Sequence, residues 1–129
     1  MNGESKKVCV IEDNQPIRKL LTTILEKSGF STVSFGNGDS ALEWLKDNEP
    51  LSVLVDYVLP DLDGSEIIDF IRKQPSGNDI PVVAVTGLAQ ENDEEKILKL
   101  GFDSYIAKPI KPATFANQIQ EIIDKKDKE

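Results

Sequence analysis

A chain of 129 residues, 39% hydrophobic and 29% charged, has the size and composition of one globular domain with a single well-formed core. Its formal net charge of −8 argues against generic nucleic-acid binding. The absence of any histidine removes Ser-His-Asp and Cys-His catalysis, histidine metal sites and a phosphohistidine made by the chain itself.

No run approaches the ~18 apolar residues of a membrane span, and the start MNGESKK lacks the apolar segment of a secretory signal. The lone Cys9 has no partner for an internal disulfide and reads as core filler in an apolar strand. The cytoplasm is the expected compartment.

Along the chain the hydrophobic period alternates between about 2 and about 3.6 residues. Val8, Val10 and Ile11 read as a first strand. The helical stripe Ile17, Leu20, Leu21, Ile24 and Leu25 follows and stops near Gly29. Thr32–Phe35 is a short second strand. GNGDS then turns into a helix carrying Ala41, Leu42 and Leu45, with Trp44 beside its apolar stripe. Residues 51–55 form the third strand, before a helix with Ile67, Ile68 and Ile71. A loop over 75–81 leads to the fourth strand, 82–85, and QENDEE opens a fourth helix with Ile97 and Leu98, its acids suiting a helix N-terminus. Ser104–Ala107 is the fifth strand, and Phe115, Ile119, Ile122 and Ile123 mark a last helix before DKKDKE. Five strand–helix units without a break in composition predict one α/β domain over 7–124, with a parallel sheet, helices on both faces and polar tails at 1–6 and 125–129.

Four of the five strands run into a polar group: Glu12-Asp13, Asp56, Thr86 and Lys108. The second ends at Phe35. In open parallel sheets ligands bind beyond the carboxyl ends of the strands, where strand order reverses. With the order 2-1-3-4-5, the second strand lies at an edge away from that point, and it is the strand without a polar terminus. Taken singly, each residue has an ordinary explanation. Asp13 or Asn14 caps the following helix, Asp56 is a loop carboxylate, Thr86 ends a strand, Lys108 is a surface lysine and Tyr105 packs a strand. Independent accidents would not all fall at one edge of one sheet.

Glu12, Asp13 and Asp56 supply three negative charges that one lysine cannot neutralise. Hard carboxylate oxygens with room for waters suit Mg²⁺, and its charge together with that of Lys108 brings the cluster to about zero. A phosphoryl group can then approach Asp56 as nucleophile, its oxygens held by metal, Lys108 ammonium and Thr86 hydroxyl. The product is an acyl phosphate.

VCVIEDN, VLVDYVLPDLDG, VVAVTG and SYIAKPI, in this order and spacing, resemble the receiver domain of two-component response regulators over almost the whole chain. The resemblance implies a flavodoxin-like (βα)5 fold, doubly wound around a five-stranded parallel sheet of order 2-1-3-4-5. It also implies a phosphorelay function: Asp56 accepts a phosphoryl group from a phosphohistidine on a partner histidine kinase or phosphotransfer protein. Asp13, Asp56 and the Val58 backbone carbonyl would ligate magnesium directly, with Glu12 acting mostly through water. Thr86 and Lys108 would bind phosphoryl oxygens, Thr86 and Tyr105 would form a switch, and Lys108-Pro109 would be a cis peptide. A downstream partner or output domain would read the fourth helix, fifth strand and fifth helix through a shift between two packings. Such a module is no enzyme beyond its own phosphorylation and dephosphorylation, and no direct nucleic-acid or membrane contact is expected. No output domain follows, which suggests a stand-alone regulator or a fragment. One departure stands out: Val58 and Leu88, two residues after Asp56 and Thr86, are aliphatic and cannot orient an attacking water. A long-lived phosphoryl group is the expectation.

Other readings meet obstacles. A flavodoxin-like cofactor binder needs a phosphate-cradling first loop, and EDNQP is acidic. No G-x-G-x-x-G follows the first strand and no Walker A pattern exists. An aspartate-nucleophile phosphatase wants Asp-x-Asp where this chain has Glu-Asp. DLDG opens like a calcium loop, but Arg72 occupies the position that needs Glu. A degenerate receiver that only binds partners predicts missing site residues, and none is missing.

Overall fold

Val8, Cys9, Val10 and Ile11 are all buried, and so is every residue from Ser52 to Asp56 and from Val82 to Thr86. Strands this apolar from end to end must be covered on both faces, the condition that parallel sheets satisfy. The computed structural model describes residues 6–87 and 93–128. In it, β1 (Val8–Ile11), β2 (Thr32–Phe35), β3 (Ser52–Val55), β4 (Val82–Thr86) and β5 (Ser104–Ala107) form one parallel sheet in the order β2-β1-β3-β4-β5. The connecting helices are α1 (Gln15–Lys27), α2 (Gly38–Asp47), α3 (Gly64–Arg72), α4 (Asp93–Lys99) and α5 (Phe115–Asp127).

The two-residue period of the strands sorts their side chains onto two cores. Cys9, Ile11, Val53, Val55, Val82 and Ala84 meet Ala41 and Leu45 of α2, Ile67, Ile68 and Ile71 of α3, and Ile97 of α4. Val8, Val10, Leu54, Val83 and Val85 meet Leu21 and Leu25 of α1 and Phe115, Ile119 and Ile123 of α5. The half-buried Trp44 extends the first core over the edge strand, its ring 6.2 Å from that of Phe35.

Side-chain caps start the first three helices. Asn14 accepts from Ile17 N–H at 3.0 Å at the head of α1, with Pro16 in the first turn. Of the two cap candidates, Asn14 therefore does this work and Asp13 does not. Asn37 accepts from Ser40 N–H on α2. Asp63 and Glu66 form a reciprocal capping box on α3.

Three boundaries differ from the sequence expectation. β3 begins at Ser52, β4 continues through Thr86, and α5 runs on to Asp127 through residues expected to be tail. Lys126 Nζ lies 2.9 Å from Asp103 Oδ1, which fastens the last turns of α5 to the segment before β5. Hydrophobic periodicity carries no trace of that ion pair. The loop before β4 contains a turn of 3-10 helix, Gly77–Asp79. Gly77 is required there, because a Cβ would fall 1.9 Å from the Ile71 carbonyl oxygen. Residues 90–92 of the QENDEE segment lie outside the described residues. Among the described residues, no helix is long and apolar enough to cross a membrane.

Candidate functional site

Parallel strands deliver their carboxyl ends to the same edge. β1 and β3 are aligned with Ile11 opposite Val55, so Glu12 and Asp13 leave the sheet beside Asp56. Asp56 N–H still donates to the Ile11 carbonyl at 3.0 Å. β4 and β5 end with Thr86 opposite Ala107, and Lys108 N–H donates to the Thr86 carbonyl at 3.0 Å. The ladder thus fixes where each of these side chains leaves the backbone.

Glu12, Asp13 and Asp56 each place one carboxylate oxygen within 4.8 Å of the others. Glu12 and Asp56 are buried, and Asp13 is exposed. Lys108, its side chain 18% exposed, reaches across the edge to 3.0 Å from Asp56 Oδ2 and 2.7 Å from Glu12 Oε1. The contact with Asp56 is a hydrogen bond. The contact with Glu12 is an ion pair to the buried Oε1. Glu12 Oε2 accepts from Asn14 N–H at 3.2 Å, and Asp56 Oδ1 accepts from Val58 N–H at 3.1 Å.

Burial pushes the Glu12 carboxyl upward, and the nearby Asp56 adds to this. Lys108 and Asn14 N–H pull it down without cancelling the rise. Burial acts downward on Lys108, but Glu12 and Asp56 outweigh it and hold the ammonium above its ordinary value. Carboxylates outnumber the ammonium three to one. A cluster of hard oxygen donors with that imbalance fits a small divalent cation such as Mg²⁺.

Around this pocket, Thr86 is buried at the end of β4. Tyr105 is half-buried in β5, opposite Ala84, and packs against the core beneath α2, α3 and α4. The Lys108–Pro109 peptide is cis. Val58 is 58% exposed beside Asp56. Leu88, the second aliphatic residue noted in the sequence, lies outside the described residues.

Sequence reasoning missed the part played by β2. Although Phe35 brings no polar side chain, its carbonyl accepts from Glu12 N–H at 3.0 Å. Arg18 Nη1 donates to the Glu12 carbonyl at 2.8 Å, so the backbone of the acidic doublet is held from both sides. Asp61, in the loop after Asp56, accepts from Gly38 and Asp39 N–H groups at the head of α2. The acidity of DLDG was visible, but two acids so close together give no sign of which helix each serves.

The model of the response regulator receiver domain matches residues 8–120. The polar-differentiation response regulator DivK of Brucella anthropi is 35% identical over 118 residues, covering 92% of this chain and 96% of its own. DivK of Brucella ovis is 34% identical over 119 residues, covering 92% and 97%. Among solved structures, a CheY-like response regulator receiver domain protein from Methanospirillum hungatei superposes with a TM-score of 0.85 at 25% identity, covering 97% of this chain and 98% of its own. The receiver domain of a Pseudomonas aeruginosa sensor histidine kinase, with magnesium ion coordinated in its active site cleft, gives a TM-score of 0.83 at 28% identity, covering 94% and 99%. Fold, strand order and match along nearly the whole sequence agree, and the chain belongs to the response regulator receiver domain family of two-component signalling.

Proposed function

We propose that this receiver accepts a phosphoryl group on Asp56 in a Mg²⁺-dependent reaction, from a phosphohistidine on a partner histidine kinase or phosphotransfer protein. The observation that carries the reading is the placement of Lys108 Nζ between Glu12 and Asp56, in a pocket where three carboxylate oxygens lie within 4.8 Å of one another. Asp13, Asp56 and the Val58 carbonyl would hold the metal, with Glu12 acting through water. The ion supplies charge neutralisation for an incoming phosphoryl group that the acids alone would repel.

The chain's own residues do the rest. An Asp56 oxygen attacks phosphorus, the P–N bond of the phosphohistidine breaks, and its electron pair returns to the imidazole nitrogen. The result is an acyl phosphate on Asp56 and a free histidine on the donor. Lys108, already an ammonium at the pocket, follows the transferred oxygens, and the Thr86 hydroxyl takes another of them. Hydrolysis reverses the state: water attacks phosphorus, inorganic phosphate leaves and the carboxylate is restored. The chain is therefore a signalling module whose only catalysis acts on itself.

Thr86 and Tyr105 would couple this charge change to the surface formed by α4, β5 and α5, where a downstream partner or output domain docks. The phosphate favours one of two packings of that surface. Leu98, 40% exposed on α4, suits such a contact. The functional unit would span residues 7–124 together with the last turn of α5 that Lys126 fastens, acting in the cytoplasm without contact to nucleic acid or membrane.

Incubation with acetyl phosphate and Mg²⁺, followed by intact-mass measurement, tests the reading. One phosphoryl group should add to the wild type and none to Asp56→Asn or to the wild type in EDTA. A wild type that stays unmodified under these conditions would leave an interaction module that works without phosphorylation.

A further inference from the structure

The loop between β3 and α3 carries Asp56 and the Val58 carbonyl at its start and the Asp63 cap at its end. Its base is closed by Gly64 N–H, which donates to the Tyr57 carbonyl at 2.8 Å, and by an antiparallel bridge between Val58 and Asp63. Its tip is held by a different element. Asp61 Oδ1 accepts from Gly38 N–H and Oδ2 from Asp39 N–H, both at 2.9 Å. These donors belong to the first turn of α2, which has no partner for them within its own helix. Beside this contact Leu62 lies against Gly38 so closely that a Cβ there would meet Leu62 Cδ1 at 2.7 Å, and its Cβ and Cγ at 3.0 Å.

The same junction holds the other acidic loop. Phe35, at the end of β2, accepts from Glu12 N–H at 3.0 Å. Arg18, which donates to the Glu12 carbonyl at 2.8 Å, passes over Gly36, where a Cβ would sit 3.0 Å from Nη1. Residues 35–39 therefore anchor the backbone of the acidic doublet on one side and the tip of the β3–α3 loop on the other. Among the described contacts of Asp61, none is to the pocket itself.

We infer that Asp61 is a positioning residue of the metal pocket: its clasp on the head of α2 steadies the loop that carries Asp56 and the Val58 carbonyl proposed as a metal ligand. The inference rests on the proposed Mg²⁺ reading of the pocket. Its physical basis is an asymmetry between ligand types. A carboxylate can re-aim by turning its side chain, whereas a backbone carbonyl moves only with its loop. Mg²⁺ demands near-ideal octahedral geometry, so slack in that loop is paid in affinity.

Calorimetric titration of the full chain with Mg²⁺ at fixed ionic strength is the test, with thermal unfolding in metal-free buffer recorded alongside. Asp61→Ala should weaken Mg²⁺ binding roughly tenfold, the low end for a group that acts on the ligands indirectly. Gly38→Ala keeps every charge and improves helix propensity, yet pushes Leu62 outward, and should weaken binding in the same direction. Asp61→Asn should fall between Asp61→Ala and wild type, because its one amide oxygen still accepts from one of the two N–H groups. If Asp61→Ala does not fold, the Asn and Gly38 variants carry the comparison. Binding equal to wild type in Asp61→Asn and Gly38→Ala, whatever their melting temperatures, overturns the inference. So does equal loss in both Asp61 variants with Gly38→Ala unaffected, since a remote charge effect alone produces that pattern. A wild type that binds no Mg²⁺ instead overturns the metal reading beneath it, and the inference falls with it.

Discussion

Lys108 Nζ and Asp56 Oδ2 are 3.0 Å apart across residues 52 positions distant in sequence, with Glu12 Oε1 2.7 Å from the same nitrogen. The lysine thus occupies the position of a partial counter-charge for two buried acids. Removing it leaves both carboxylates underneutralised, a change that costs about 3 kcal/mol when one partner of a buried pair is lost. Lys108→Met should therefore melt well below wild type in metal-free buffer. Mg²⁺ should recover more of that loss than it adds to wild type, because the variant's pocket is more negative and ligands stabilise the state they bind. Melting curves of both proteins with and without Mg²⁺ check this, and equal gains would show that lysine and metal do not share a field.

Arg72 shows the same economy at the opposite end of the sheet. Its guanidinium donates to the carbonyls of Gly77 and Ile80 at 2.7 Å, to that of Gly101 at 2.8 Å and to Asp103 Oδ2 at 2.9 Å. One side chain thereby ties the end of α3 to the segments that enter β4 and β5. Arg72→Ala should cost roughly 2–4 kcal/mol, since acceptors in half-buried surroundings lose their donors together. Arg72→Lys should recover less than half of it, because a single ammonium cannot reproduce the fork. Urea denaturation reads both values, and Mg²⁺ affinity should remain that of wild type in each variant.

These two clusters mark what sequence reasoning can and cannot reach. A parallel sheet covered on both faces was legible because strands buried on two faces must be apolar throughout, and parallel strands deliver Glu12, Asp56, Thr86 and Lys108 to the same edge, while the strand order itself came from the resemblance to receiver domains. Arg72 registered only as the wrong residue for a calcium loop. Three of its four contacts are to backbone carbonyls, which have no sequence signature. The same holds for Arg18 on the Glu12 carbonyl and for Asp61 on α2. Periodicity reports which face a residue takes, and it says nothing about which distant peptide group a polar side chain finds.

Asp63 offers a pH-dependent test of local stability. The Ser65 hydroxyl bonds to its carboxylate, and the Glu66 and Ser65 N–H groups add to this; together they outweigh the opposing effect of burial and hold its pKa below the ordinary 3.8. A carboxyl whose folded value is depressed contributes its stability above the unfolded value and loses it as pH falls through the folded one. Asp63→Ala should therefore cost about 1 kcal/mol at neutral pH, the usual worth of such a cap. The gap between variant and wild type should shrink once pH drops below about 3.8. Denaturation curves at neutral and acid pH measure it, and a gap independent of pH would show that the carboxylate charge plays no part.

Cys9 should behave as an inert group. It is fully buried in β1, and burial pushes its thiol up to about 12. The thiolate is the reactive form, so iodoacetamide at mildly alkaline pH should leave the folded protein unmodified and label it fully in denaturant. Because the folded value lies above the unfolded one, the linked stability is present below the ordinary 9.0 and is lost as pH climbs toward 12. Rapid labelling of the native protein would show that β1 opens far more readily than its packing implies.

Val58 bears on how long a signal lasts. Its N–H donates to Asp56 Oδ1 at 3.1 Å, so the backbone is pinned beside the proposed phosphoryl site, while 58% of the residue stays open to solvent. Its aliphatic side chain has neither donor nor acceptor with which to orient an attacking water. The phosphorylated protein should consequently decay slowly, over minutes or more. Val58→Asn should shorten that lifetime roughly three- to tenfold by holding water in line with phosphorus. Val58→Ala separates orientation from shielding, because alanine opens the same approach and still cannot bind water. Loss of the phosphoryl mass after removal of acetyl phosphate follows all three proteins. A wild-type half-life of seconds, or equal acceleration by Ala and Asn, would assign the lifetime to something other than the missing hydrogen bond.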